Sequence, residues 1–259
     1  MATFLFEDTI FGPVFSRRLG RSLGVNVLPN TRKVCNFNCI YCECGLTKSS
    51  FDKLDDLPAR DIVEQHLENR LMQAVKNGEV IDTITFAGNG EPTLHPEFEE
   101  IIEDTIRLRN RYMPHVKIAV LSNSTRLMDD SIYNSLKKID LNILKLDSVD
   151  PETIKLINCP LEQYDLTEII EKLKSFQGKI IIQVLYFKGQ YKDSYIDNSG
   201  DDEFVPWLEK IKEIRPEMVM LYTIARDTPF NSLEKISEKR LNQIARKIED
   251  AGFQTSVSS

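Results

Sequence analysis

The chain has 259 residues, enough for one large domain or two small ones, since domains run to ~100–200 residues. Its composition, 41% hydrophobic and 28% charged, is that of a globular protein and excludes a disordered or fibrous one. Lys and Arg number 33 against 40 Asp and Glu, and the net charge of −7 argues against a general binder of phosphate backbones, while leaving room for a local basic patch.

Folding a chain of this length buries roughly 70–75% of the unfolded surface, so a full core is available without staples. No basic stretch followed by an apolar one opens the sequence, so no signal peptide is expected. No run approaches the ~18 apolar residues of a membrane span. A cytoplasmic protein with no membrane contact is expected, built as a single domain over residues 1–259. Within it, residues 1–30 form an N-terminal segment and first strand, and residues 31–50 a cysteine loop.

Apolar, β-branched runs occur at 23–28, 80–86, 116–121, 141–146, 179–187 and 218–224. Several are apolar on both faces, as in Ile180-Ile181-Ile182, which fits parallel strands covered by helices. Helical stretches separate them. Pro58 opens one with Val63, Leu67, Leu71, Ala74 and Val75 as its apolar stripe, and Pro96 opens another with Phe98, Ile101, Ile102 and Ile106. Further helices are expected at 129–138, 166–176, 204–214 and 237–250. Six strand–helix units in a row predict a parallel α/β fold, and a barrel and a doubly wound sheet satisfy the periodicity equally. In both, ligands bind at the C-terminal ends of the strands, so the residues just after each apolar run carry the interest.

The first such stretch holds Cys35, Cys39, Cys42 and Cys44, four of the five cysteines, within ten residues. An odd count so clustered is no disulfide framework and reads as metal ligands in a reducing compartment. In the Cys-x3-Cys-x2-Cys spacing, three thiolates can each hold one iron of a [4Fe–4S] cluster, leaving the fourth iron open. An open coordination position suits catalysis, whereas structural sites are closed. The alternative is a four-cysteine zinc site, although zinc ligands usually come as two pairs from separate segments.

After the second strand comes Gly88-Asn89-Gly90-Glu91-Pro92. Taken alone, this is a Gly-rich turn leading into the Pro96 helix; it lacks the Gly-Lys-Ser/Thr of a P-loop and the third glycine of a dinucleotide fingerprint. Ser122 and Asn123 follow the third strand and Lys145 and Asp147 close the fourth. As bland alternatives, these are helix N-caps or solvated strand ends.

The cysteine loop, with Tyr41 before its third cysteine, and the Gly-x-Gly-Glu-Pro motif, each after the right strand, resemble the radical S-adenosylmethionine (radical SAM) superfamily. The resemblance covers essentially the whole chain, with Gly-x-Gly-Glu in place of the more usual Gly-Gly-Glu. Phe11 through Gly24 and Leu221 through Arg226 resemble more narrowly the branch grouped with wyosine (tRNA) synthases. The resemblance implies a partial (β/α)6 TIM-type barrel of parallel strands with outer helices. It implies a [4Fe–4S] cluster on Cys35, Cys39 and Cys42, and reductive cleavage of S-adenosylmethionine to methionine and a 5′-deoxyadenosyl radical that takes hydrogen from a substrate. It also implies that the S-adenosylmethionine site draws on Tyr41, Gly88, Asn89, Gly90, Glu91, Ser122, Asn123, Lys145, Asp147, Asn198, Tyr222 and Thr223. Asp147 is expected on the ribose hydroxyls and Glu91 on the methionine ammonium.

Other features leave choices open. Arg17, Arg18, Arg21, Arg32 and Lys33 form a basic cluster in sequence, either a phosphate or carboxylate site or a solvated face. Arg17, Arg18, Arg21 and Arg226 are the substrate candidates. Residues 190–203 form a polar segment, a substrate lid or an insertion. Cys44 is a spare thiol or a thiyl or persulfide participant, and the former is favoured. His66, His95 and His115 are structural. The substrate is a small molecule, a tRNA or a protein, and a reductant such as flavodoxin or ferredoxin is implied. The competing functions are a wyosine-type tRNA-base lyase, a glycyl-radical-enzyme activase, and a non-catalytic metal or iron–sulfur binding module.

Overall fold

The computed structural model describes residues 4–16, 18–47 and 54–259. A hairpin of β1 (Ile10–Ser16) and β2 (Gly20–Val25) leads into the cysteine loop, followed by α1 (Arg60–Asn77), β3 (Thr83–Phe86), α2 (Phe98–Tyr112), β4 (Lys117–Ser122) and α3 (Asp130–Lys137). Then come β5 (Leu141–Lys145), α4 (Pro151–Ile157), α5 (Leu166–Ser175), β6 (Ile181–Tyr191), β7 (Ser194–Asp197) and α6 (Asp201–Ile214). The chain ends with β8 (Met218–Thr223), β9 (Leu233–Lys235), α7 (Glu238–Asp250) and β10 (Gln254–Ser258). Strands β2, β3, β4, β5, β6, β8 and β10 pair in that order, all parallel. They form the curled part-barrel that the superfamily resemblance implies, and each crossover carries a helix on the outside.

The six expected strands are β2, β3, β4, β5, β6 and β8. Four strands and a helix were not foreseen. Gly12 and Pro13 interrupt the pattern of β1, which bulges between Phe11 and Val14 as it pairs with β2. The polar sequence of β10 (Gln-Thr-Ser-Val-Ser) hides the seventh parallel strand, whose partner β8 supplies the apolar surface. Residues 190–203 are neither lid nor loose insertion. Strand β6 runs on to Tyr191 and turns back through β7, and β9 pairs with the same extension of β6. Helix α4 is a short element of seven residues, started by the Asp150 cap on Thr153 N and by Pro151.

Strand side chains alternate between two faces. Ile118, Val120, Leu144, Ile182, Val184, Val219 and Leu221 point outward and form the main core with the helices. Their inward neighbours Ala119, Ile143, Ile181 and Met220 make a separate apolar floor inside the barrel, with Leu121, Leu141 and Met218 against it. Leu19, in the β1–β2 turn, packs onto that floor from the N-terminal end, its carbonyl held by Thr83 Oγ1 at 2.9 Å. Both faces of the sheet are therefore covered, which is why the strands read as unbroken apolar runs. Among the described residues, no helix is long and apolar enough to cross a membrane.

Candidate functional site

Above the apolar floor, at the C-terminal ends of the parallel strands, the barrel opens into a cavity of about 580 Å³. The size suits a small-molecule or cofactor site. Cys35, Cys39, Cys42 and Cys44 all line it, beside Gly88, Gly90, Glu91, Ser122 and Asn123.

The cysteine loop is held by backbone pairing rather than by its own secondary structure. Val34 N donates to the Asn89 carbonyl at 2.8 Å and Glu91 N to the Val34 carbonyl at 2.9 Å, a bridge that locks the loop to the Gly88–Glu91 segment. Gly90 (φ +141°) makes this possible, because a Cβ there would lie 1.7 Å from the Val34 carbonyl oxygen. Gly88 sits against Asn26, whose Oδ1 would be 2.2 Å from an added Cβ. On the other side Asn38 N and Ile40 N donate to the carbonyls of Asn158 and Ile157, at the C-terminal end of α4.

Side chains then reach the sulfurs. Asn158 Nδ2 lies 3.4 Å from Cys39 Sγ, Asn123 Nδ2 3.8 Å from Cys35 Sγ, and Phe37 N 3.4 Å from the same sulfur. Such N–H donors suit sulfurs that carry negative charge, as thiolates bound to a cluster do. Burial pushes the Cys35 thiol up to about 12 against the pull of Lys33, and burial likewise raises Cys39. A hydrogen bond from Cys44 is the main cause holding Cys42 down to about 5, with burial opposing it and the Lys33 ammonium assisting. The same contact, with burial, raises the Cys44 thiol. The Lys33 Nζ is buried, donating to the Gly45 carbonyl at 3.0 Å. Among the described residues no three His, Cys, Asp or Glu side chains are grouped around a single point. Thiols that each take a different iron need not converge.

Behind the loop lies a buried polar network. Asp147 accepts from the Tyr41 hydroxyl, from Asn158 Nδ2 at 2.7 Å and from Leu185 N at 3.0 Å, and pairs with Lys145 at 3.6 Å. Lys145 Nζ also donates to the hydroxyls of Tyr41 and Tyr222 at 3.2 and 3.3 Å. Burial alone would lower the Lys145 ammonium, but Asp147, Tyr222 and Cys39 together raise it above its ordinary value. Glu91 accepts from Thr93 N and Oγ1 at 3.2 and 2.6 Å and from Asn123 N at 2.6 Å; burial still raises its carboxyl.

Several expected residues therefore meet in one place, and others do not. Tyr41, Gly88, Gly90, Glu91, Ser122, Asn123, Lys145, Tyr222 and Thr223 line the cavity. Asn89, Asp147 and Asn198 stand outside its lining. Asn89 joins Phe6 and Pro29, holding the N-terminal segment, and the Asp147 carboxylate is enclosed by its three donors. Asn198 bridges Phe187 N and the Leu185 carbonyl of β6 at 2.9 and 2.7 Å. The basic cluster of the sequence comes apart. Arg21 pairs with Asp82 on the outer surface and Arg32 with Asp56, while Lys33 faces the thiols. Arg17 lies outside the described residues. Arg18 reaches into the cavity, and Arg226 stands at its mouth paired with Glu43 at 2.9 Å. Asn158, Gln183 and Ser258 were not singled out from sequence; only the position of Gln183 within an otherwise apolar strand signals it.

The model of the radical SAM superfamily matches residues 30–198, and the chain belongs to that superfamily of enzymes. The UPF0026 protein of Helicobacter pylori (strain J99) is 31% identical over 236 residues, which are 90% of this chain and 71% of that protein. Among solved structures, a radical SAM methyltransferase from Sphaerobacter thermophilus superposes with a TM-score of 0.66 at 14% identity, over 92% of this chain and 65% of that one. An archaeal TYW1 superposes with a TM-score of 0.55 at 13% identity, over 89% of this chain and 72% of that one. The superfamily implies S-adenosylmethionine and an iron–sulfur cluster as cofactors.

Proposed function

We propose that the protein holds a [4Fe–4S] cluster on Cys35, Cys39 and Cys42 and cleaves S-adenosylmethionine reductively at it. The observation that carries this reading is the meeting of those three thiols with the Gly88–Glu91 segment and four strand ends around one cavity. When bound, the cluster and S-adenosylmethionine supply one-electron cleavage to methionine and a 5′-deoxyadenosyl radical that removes hydrogen from a substrate.

The chain's own residues do the rest. The N–H groups of Phe37, Asn123 and Asn158 stabilise negative charge on the cysteine sulfurs. Gly88 and Gly90 let a ligand approach the backbone, with Glu91 beside them as a carboxylate for the methionine ammonium. Ser122 and Asn123 supply polar groups, and Lys145 a cation for its carboxylate. Tyr222 and Thr223 flank the adenosine end. Asp147, Asn89 and Asn198 position these groups through Tyr41 and Lys145, the N-terminal segment and β6. Apolar Phe37 and Leu185 keep water from the reacting centre. A one-electron donor such as flavodoxin or ferredoxin completes the system.

The test is anaerobic reconstitution with iron and sulfide, followed by dithionite and S-adenosylmethionine. Wild type is expected to form 5′-deoxyadenosine, Cys39→Ala to retain little iron and form none, and Cys44→Ala to keep iron near the wild-type level. Full iron and full cleavage in Cys39→Ala would sink the assignment.

A further inference from the structure

We infer that the barrel interior below the cysteine loop is a recognition site for the carboxylate of a small organic acid, made by Arg18, Gln183 and Ser258. The inference deepens the proposed function by naming the class of its substrate.

Three polar atoms facing this cavity have no hydrogen-bond partner: Arg18 Nη1, Gln183 Nε2 and Ser258 Oγ. Gln183 and Ser258 are each only 5% exposed, and buried polar groups are as a rule hydrogen-bonded, so their open donors point to a ligand in the cavity. All three border Tyr222. Gln183 on β6 lies beside Lys145 on β5, and Ser258 on β10 lies beside Tyr222 on β8. The Tyr222 hydroxyl reaches Gln183 Oε1 at 3.5 Å, which leaves the Gln183 NH2 as the open donor. Arg18 comes from the β1–β2 turn, and its guanidinium lies over the Tyr222 ring, 4.7 Å from the centroid. Its neighbour Leu19 plugs the apolar floor beneath, so the guanidinium is carried on an anchored turn.

Charge selects the ligand. Lys145 is paired with Asp147 and already assigned to the S-adenosylmethionine carboxylate, Arg226 is paired with Glu43, and Lys33 faces the thiols. Arg18 forms no ion pair among the described residues. One uncompensated guanidinium with two neutral donors suits a single negative charge spread over two oxygens, whereas a phosphate brings about −1.5 to −2 and would need a second cation. The site lies across Tyr222 and Lys145 from the cysteines, so an acid anchored here extends toward the proposed reacting centre.

The probe is trifluoroacetate, followed by fluorine NMR line width on the purified protein without added iron, with propanoate, propanamide and phosphate as competitors. Propanoate is expected to displace it, and propanamide and phosphate to do so at least tenfold less well. Arg18→Met is expected to weaken binding at least tenfold, Gln183→Leu and Ser258→Ala about threefold each, and Arg18→Lys to fall between, with S-adenosylmethionine affinity by equilibrium dialysis within twofold of wild type throughout. Unchanged binding in folded Arg18→Met and Gln183→Leu, or equal displacement by propanamide, would overturn the inference. So would a parallel loss of S-adenosylmethionine affinity, since the carboxylate read by Arg18 would then be that of the cofactor. Carboxylate binding in a Cys39→Ala protein that forms no 5′-deoxyadenosine separates this site's success from that of the radical reaction.

Discussion

At Gly90 a single missing methyl group joins the two halves of the site. The Val34 carbonyl that accepts from Glu91 N occupies the space a Cβ would take, and the positive φ independently disfavours any L side chain. Gly90→Ala must therefore open the bridge between the cysteine loop and the Gly-rich segment. Backbone strain alone costs about 1–3 kcal/mol, and the steric conflict adds to it. The expected outcome is a fall in melting temperature of several degrees, with iron retained after reconstitution reduced to well under half of wild type. Normal iron content with a normal melting temperature would show that the two segments are not coupled in this way.

At the scale of elements, α1 and α2 are joined by Asp104, a buried carboxylate of α2. Arg60 Nε approaches Asp104 Oδ2 at 2.6 Å, and Arg107 Nη2 approaches Oδ1 at 3.2 Å. Burial raises the Asp104 carboxyl, but the hydrogen bonds from Arg60 and Arg107 outweigh it and hold the group below its ordinary value. A carboxyl depressed in the folded state contributes stability above its unfolded pKa, and that contribution disappears as pH falls through the folded value. Asp104→Asn is expected to lower stability by about 1–2 kcal/mol at pH 7, a shift of roughly 2–4 °C per kcal/mol. The gap between variant and wild type should close below about pH 4 in thermal melts. An equal gap at pH 7 and pH 3 would place the effect of Asp104 in packing rather than charge.

Across the whole molecule, the core and the site are built from different side chains. The main core lies between the outer face of the sheet and the helices, whereas the cysteine loop packs on a small cluster of its own with Phe37, Ile40, Ile157, Leu185 and Phe187. Removing the proposed cluster should therefore leave the barrel standing, unlike a small zinc domain that unfolds without metal. Protein stripped of iron with ferricyanide and EDTA is expected to keep its far-UV circular dichroism and one cooperative melt, with a lower midpoint. Loss of the helical signal on stripping would show that the barrel depends on the cluster.

The strand–helix alternation and the cysteine and Gly-rich segments were legible because each is local. Two-faced apolar runs report a covered parallel strand, caps and prolines mark helix starts, and ligand spacing is a property of a few consecutive residues. The strands β1 and β10 escaped notice because one is broken by Gly12 and Pro13 and the other is polar, and both exist through their partners. The grouping of Arg18, Arg21, Arg32 and Lys33 misled because neighbours on a strand or turn point to different faces; Arg21 meets Asp82 outside while Arg18 turns inward. Asp147 and Asn158 likewise gained their meaning from each other and from Tyr41, more than a hundred residues earlier. The sequence by itself determined a parallel α/β class and a cysteine spacing that suits a cluster, because those follow from periodicity and spacing along the chain, while the partial barrel and the superfamily came from the resemblance of its two motifs to known ones. Only the tertiary structure decided which polar groups face the cavity and which are already satisfied, because the closure of the barrel brings Gln183, Ser258 and Arg18 to Tyr222 from distant segments.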